Sequence, residues 1–153
     1  MSRARRRTAS GFTLLELAVV LAIIAVAAAL VLPAVGGGSE TLRLRSEAGR
    51  VAALLRQARL HAVSQHRPTR VTLDRVRNHL AVVAGDPDHP LRELAMPPGL
   101  RLSVESGGEA LTFSSRGVTR EAHWVIETSG GRALSIRVNA LTGRVSIAPR
   151  NRS

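Results

Sequence analysis

The sequence of 153 residues has no cysteine, no lysine and only three aromatic rings, Phe12, Phe113 and Trp124. Without cysteine there are no disulfides, no thiolate nucleophiles and no Cys-rich zinc sites. Three scattered rings do not make the row of stacking platforms on which a single-stranded nucleic-acid binder is built. With lysine missing, all 22 basic side chains are arginines, set against 11 carboxylates for a formal net charge of +11. Catalytic motifs are missing as well. There is no G-x-S-x-G, H-E-x-x-H or Walker sequence, and Gly36-Gly37-Gly38 is not followed by the Lys-Ser/Thr of a phosphate loop. His61 and His66 stand five apart, the wrong spacing for helical metal ligands, and the remaining histidines, His79, His89 and His123, are dispersed. Asp86, Asp88 and His89 form the one compact ligand cluster, but Pro87 and Pro90 make it read as a turn rather than a Ca²⁺ or Zn²⁺ site. No enzyme, metal site or cofactor is expected. The length allows one domain of ordinary size and a short appendage.

The hydrophobic residues, 44% of the chain, are concentrated near the N-terminus. From Leu17 to Leu32 no polar side chain occurs, and Phe12 to Val35 is interrupted only by Thr13, Glu16 and Pro33. As a helix this stretch spans about 36 Å, enough for a hydrocarbon core of about 30 Å. Arg3, Arg5, Arg6 and Arg7 precede it without an acid, so the positive-inside rule predicts a cytoplasmic N-terminus and an extracytoplasmic remainder. A cleaved secretory signal, with Ala25-Val26-Ala27 or Ala27-Ala28-Ala29 as its site, a twin-arginine signal on Arg5-Arg6-Arg7, and a plain anchor are the ordinary alternatives. None of them accounts for Glu16, because a carboxylate at mid-membrane costs about 2.5 to 3.5 kcal/mol on insertion scales.

Gly11-Phe12-Thr13-Leu14-Leu15-Glu16, behind a basic leader and ahead of an apolar helix, resembles the class III signal of type IV pilins and type II secretion pseudopilins. The resemblance implies that a membrane-embedded aspartyl prepilin peptidase cuts between Gly11 and Phe12 and N-methylates Phe12, while the helix is retained. It implies also that Glu16 pairs with the terminal amine of a neighbouring subunit and aligns each incoming protomer. Physical chemistry is consistent with this: Gly11 has no Cβ to obstruct a protease cleft, and Glu16 lies one turn from the new amine at the positive end of the helix. Pro33 falls where the family often bends its helix, and Gly36-Gly37-Gly38 makes a break. The domains expected are a leader over 1–11, a transmembrane helix over 12–35, the glycine break at 36–38 and a periplasmic domain over 39–153.

Ser39 reads as the N-cap of a second helix from Glu40 to about His66, in which Leu44, Ala48, Val51, Leu55, Ala58 and Ala62 form one apolar stripe. Arg43, Arg45, Arg50, Arg56 and Arg59 with Glu40 and Glu47 read as its solvated face, a DNA-binding face being the sharper alternative. After Pro68 the period drops to 2, predicting about seven short antiparallel strands and a core that includes Leu102, Phe113, Trp124, Ile126, Ile136 and Val138. The fold class is α+β, pilin-like, with a long N-terminal helix packed on an antiparallel β head.

Met96-Pro97-Pro98-Gly99 before a strand, Phe113-Ser114-Ser115-Arg116-Gly117, and Val138-Asn139 through Thr142-Gly143-Arg144-Val145 resemble the H-class minor pseudopilins of type II secretion and the related FimT/FimU minor pilins. The implied function is that of a structural subunit of a periplasmic pseudopilus that drives folded proteins across the outer membrane. Its implied partners are the prepilin peptidase, other major and minor pseudopilins, the inner membrane and secreted protein clients. The rival is a minor type IV pilin that supports pilus assembly or binds DNA for uptake, with Arg144, Arg150 and Arg152 as phosphate contacts on an acid-free C-terminal edge. The DNA-uptake relatives carry Gly-Arg-x-Arg, whereas here Gly143-Arg144-Val145 is followed by Ser146.

Overall fold

A computed structural model describes residues 13–150, apart from the side chains of 29–37. One helix, α1 (Leu14–Ser64), is followed by eight strands: β1 (Thr69–Asp74), β2 (His79–Val83), β3 (Arg92–Ala95), β4 (Leu100–Ser106), β5 (Ala110–Phe113), β6 (Ala122–Thr128), β7 (Ala133–Val138) and β8 (Val145–Pro149). The chain divides into two units, Met1–Ser39 and Glu40–Ser153.

In the first unit, helix formation starts from a side-chain cap. The Thr13 carbonyl accepts the Leu17 N–H at 3.2 Å, and Thr13 Oγ1 accepts the Glu16 N–H at 3.2 Å. Thr13-x-x-Glu16 is thus the start of a capping box, which satisfies one of the donors that a helix N-terminus leaves open. Beyond it every described side chain up to Ala28 is exposed, Leu14, Leu21 and Ile24 included. Among the described residues no helix is long and apolar enough to cross a membrane. The expected bend at Pro33, and Gly36 and Gly37 of the expected break, fall where the side chains lie outside the described ones, while Gly38 is described and helical. Ser39 itself lies within α1 and is no cap, since an N-cap needs a non-helical backbone and here the helix runs into it from Gly38.

The second unit is built on the apolar stripe. Leu44, Ala48, Val51, Leu55, Ala58 and Ala62 are all buried, and Ala52 and Leu54 widen the stripe. His66, with φ of 53°, ends the helix in the left-handed conformation, two residues before Pro68. Two antiparallel sheets follow, one in the order β3-β2-β1-β5 and one in the order β4-β6-β7-β8. Side chains from α1 and both sheets share a single core that includes Val71, Leu80, Leu102, Phe113, Trp124, Ile126, Ile136 and Val138. The indole N–H of Trp124 donates to the Gly108 carbonyl at 3.3 Å, so the ring is buried without an orphan donor.

The strand beyond the expected seven is β3. Arg92-Glu93-Leu94-Ala95 has one apolar side chain facing the core and no β-branched residue, so it carries no alternation to read. Its ladder to β2 makes it a strand, at the edge of its sheet. Asn78 ties the two sheets together. Held at φ of 52° between β1 and β2, it donates through Nδ2 to the Leu100 carbonyl at 2.7 Å and accepts the Leu102 N–H on Oδ1 at 3.0 Å. That amide covers part of the open edge of β4.

Candidate functional site

Gly11, Phe12 and Arg152 lie outside the described residues. Glu16 is exposed in the first turn of α1, its amide held by Thr13. The sequence reading overlooked Thr13, although the T-x-x-E spacing marks it. A carboxylate in the first turn also opposes the positive end of the helix.

In the second unit the helix arginines do more than face solvent. The Arg56 guanidinium donates to the Val145 carbonyl at 3.2 Å, and Arg59 Nε donates to the Gly117 carbonyl at 3.2 Å. Glu47 is buried and paired with Arg50 at 2.9 Å. These are corrections to the solvated-face reading. Arginine reaches loop carbonyls because its stem lies along apolar surface while its planar head carries several donors.

Two loops meet over Arg59. The 114–118 turn closes on itself through Gly117 N–H to Ser114 O and Ser114 N–H to Val118 O, both 2.8 Å. The 139–144 turn is wound around Asn139, whose Oδ1 accepts the N–H groups of Leu141 and Thr142 at 3.1 and 3.0 Å. Gly143, at φ of 61°, packs so closely that an added Cβ would collide with the Gly117 carbonyl and press on Arg59. The turn therefore requires glycine both for its left-handed backbone and for the approach.

Of the C-terminal arginines, Arg144 is exposed on this second turn, while Arg150 reaches back to Glu105 at 2.7 Å. Glu105 also holds His123 Nδ1 at 2.9 Å. In the sequence Arg150 belongs to an acid-free edge, but its acid comes from β4, far away in the chain. Asp86 is likewise committed locally. Its Oδ2 lies 2.8 Å from His89 Nδ1 and its Oδ1 accepts the Asp88 N–H at 2.9 Å, and the His89 bond, then the backbone bond, holds its carboxyl below the usual value. Among the described residues no three His, Asp or Glu side chains are placed to hold a metal ion.

A family model described as type II transport protein GspH matches residues 47–143, more than half of the chain. The chain belongs to the GspH family. A second model, the prokaryotic N-terminal methylation motif, matches residues 6–32. Type II secretion system protein H of Xanthomonas campestris pv. campestris is 41% identical over 69 residues, a stretch that makes up 45% of this chain and 41% of that protein. The match thus spans less than half of that relative's length. Among solved structures, the type IV minor pilin FimU of Pseudomonas aeruginosa superposes with a TM-score of 0.59 at 26% identity, covering 69% of this chain and 93% of FimU. The minor pseudopilin EpsH from the type 2 secretion system of Vibrio cholerae gives a TM-score of 0.61 at 16% identity, covering 70% and 97%. The EpsH likeness shows the fold alone. Within the family, then, the α+β pilin-like architecture expected from the sequence is the one observed: a helix on antiparallel sheets.

Proposed function

We propose that this chain is a minor pseudopilin of type II secretion, a structural subunit of the periplasmic pseudopilus that moves folded proteins across the outer membrane. The observation that carries this reading is the pairing, in one chain, of an N-terminal methylation motif over 6–32 with a GspH head over 47–143. The prepilin peptidase cuts between Gly11 and Phe12 and methylates the new amine, leaving the apolar helix as a single inner-membrane span with the head in the periplasm. All-round exposure of the apolar side chains from Leu14 to Ile24 supports this, since a helix apolar on every face needs lipid or neighbouring subunits around it. Glu16 then aligns the incoming protomer by pairing with a neighbour's terminal amine, and other pseudopilins and secreted clients are the protein partners. Pro33 bends the helix as it leaves the membrane.

Mass spectrometry of the mature chain from its own membrane tests the reading. The expected result is N-methylated Phe12; a terminus near Ala28 or Leu30 overturns it. Gly11→Leu should leave the leader attached.

A second reading, a minor type IV pilin, is favoured by one observation: FimU is more similar in sequence, at 26 to 29% identity, than EpsH, at 15 to 16%. DNA binding through Arg144 and Arg152 belongs to this reading. Binding of duplex DNA that weakens steeply with salt and is lost in Arg144→Gln/Arg152→Gln favours it, and absence of binding at near-physiological salt removes it.

A further inference from the structure

The end of the head at the C-terminus of α1 combines exposed apolar side chains with unpaired positive charge. Arg56 is tied to Val145, while Arg59 and Val63 lie against Gly117. Arg59 also lies against Gly143, in the turn that carries Leu141 and Arg144, while Leu60, one helical turn beyond Arg56, is on the outer face of the helix. The Thr119 N–H donates to the Ala140 carbonyl at 3.2 Å, which fixes Val118 and Arg116 next to the same turn. Three apolar side chains thus share this end: Leu141 at 83% exposed, and the partly exposed Val63 and Val118. The turns and the helix end that build it, residues 56–68, 114–120 and 139–150, contain no acid. Neither the Arg116 nor the Arg144 guanidinium has a partner among the described residues.

Another exposed apolar residue provides the contrast. Val76, in the β1–β2 turn, is 96% exposed, but its flanking arginines are neutralised, Arg75 by Glu109 at 3.3 Å and Arg77 by Asp74 at 3.8 Å. At the helix end the corresponding acids are missing, and the turns are rigid, locked by Gly143 and Arg59, so docking them sacrifices little conformational freedom.

We propose that this end of the head docks another protein of the assembly, one that presents carboxylates around an apolar side chain packed on Leu141, Val118 and Val63. Arg116 and Arg144 steer and rim the contact, and the apolar side chains form its centre. A second copy of this head docked through the same face does not fit, because it would bring the same unpaired arginines together. Duplex DNA fits poorly, since it offers phosphates but nothing to cover three apolar side chains. The proposal rests on the reading of the chain as an assembly subunit and does not choose between pseudopilus and pilus.

The test uses the full chain in its native membrane, with a photo-crosslinking benzoylphenylalanine at position 141 and, for reference, at position 76. The expected result is an adduct at 141, about tenfold above that at 76, to a protein segment rich in Asp or Glu. Arg116→Glu/Arg144→Glu should lower it about tenfold, and exchanging the partner's carboxylates for arginines in that variant should restore it. Both arginines are exposed and make no side-chain bond among the described residues, so the variant keeps the fold. Equal yields at 76 and 141, an adduct with lipid, DNA or a second copy, or indifference to charge reversal overturns the proposal. N-methylated Phe12 is measured in the same sample. Its presence without the adduct sinks the docking surface alone, and an adduct without it sinks the processing reading alone.

Discussion

Residues 14–28 and 40–64 are both helical and rich in aliphatic side chains, yet they are stabilised by opposite means. In the first segment the aliphatic side chains point in every direction and all of them are exposed. In the second most of them fall on one stripe and are buried, Val51 and Leu55 completely, against two sheets, with Leu42, Leu60 and Val63 outside it. The second segment carries its own solvent, the core of the head; the first finds no such cover among the described residues. Hydrophobicity alone therefore does not tell where a helix belongs. Its distribution around the axis does.

The comparison breaks most readily at the core. Phe113→Ala should destabilise the head by about 3 to 5 kcal/mol, and Leu55→Ala by about 2 to 5. Ile24→Ala, which removes a similar apolar mass from the first segment, should leave head stability unchanged. Denaturant unfolding of the full chain in mild detergent, followed by the fluorescence of the sole tryptophan, Trp124, makes the measurement. A comparable loss in Ile24→Ala would mean that the two units share their stability.

Gly143→Ala sharpens it within the head. A Cβ there meets the Gly117 carbonyl and Arg59, on a backbone with φ of 61°, so the expected loss is about 1 to 3 kcal/mol from strain and displacement of the turn. Gly49→Ala makes the control. It lies in α1 with open space around its Cβ position, and it should stabilise by about 0.5 to 1 kcal/mol through helix propensity. If both variants behaved alike, the close approach of the two turns would not be needed.

Periodicity made much of this architecture legible. The stripe from Leu44 to Ala62 and the alternation in seven of the eight strands come directly from one buried face repeating at 3.6 or 2 residues. What was hidden has a common cause, the pairing of residues distant in sequence. Arg92-Glu93-Leu94-Ala95 becomes a strand only because β2 offers a ladder; Arg59 looks solvated until Gly117 comes to it; Arg150 belongs to an acid-free stretch until Glu105 reaches it from β4. The Thr13 cap was different. Its T-x-x-E spacing is local and readable, but a carboxylate in an apolar run draws attention to Glu16 and away from the residue three before it.

The N-terminal turn gives the next smaller effect. Thr13→Ala removes an N-cap worth about 1 kcal/mol and should speed hydrogen exchange of the Glu16 amide about fivefold, while filaments still assemble. Glu16→Ala keeps that N–H and its acceptor. It should leave exchange nearly unchanged and stop assembly, as seen by loss of pelletable filament. Should Thr13→Ala abolish assembly as fully as Glu16→Ala, the importance of Glu16 would reduce to helix capping.

The smallest effect is an acid limb confined to the turns of the head. Asp74 is held below the usual carboxylate value of 3.8 chiefly by the Arg77 N–H, against an opposing desolvation that comes next in size, with the Val76 N–H and the charges of Arg77 and His79 adding to the lowering. A carboxyl whose pKa is lower folded than unfolded binds fewer protons in the native state. Its contribution is complete above the unfolded value and disappears as pH falls through the folded one. Because the group faces solvent, it is screened and the effect on the melting temperature is small. Asp74→Asn retains an acceptor for the two N–H groups but cannot ionise, so its melting temperature should lie slightly below the parent's at about pH 6 and converge with it near about pH 2. Ile24→Ala, by contrast, should run parallel to the parent throughout. A gap between parent and Asp74→Asn that stayed constant with pH would show that the Asp74 turn is held by its geometry alone and not by charge.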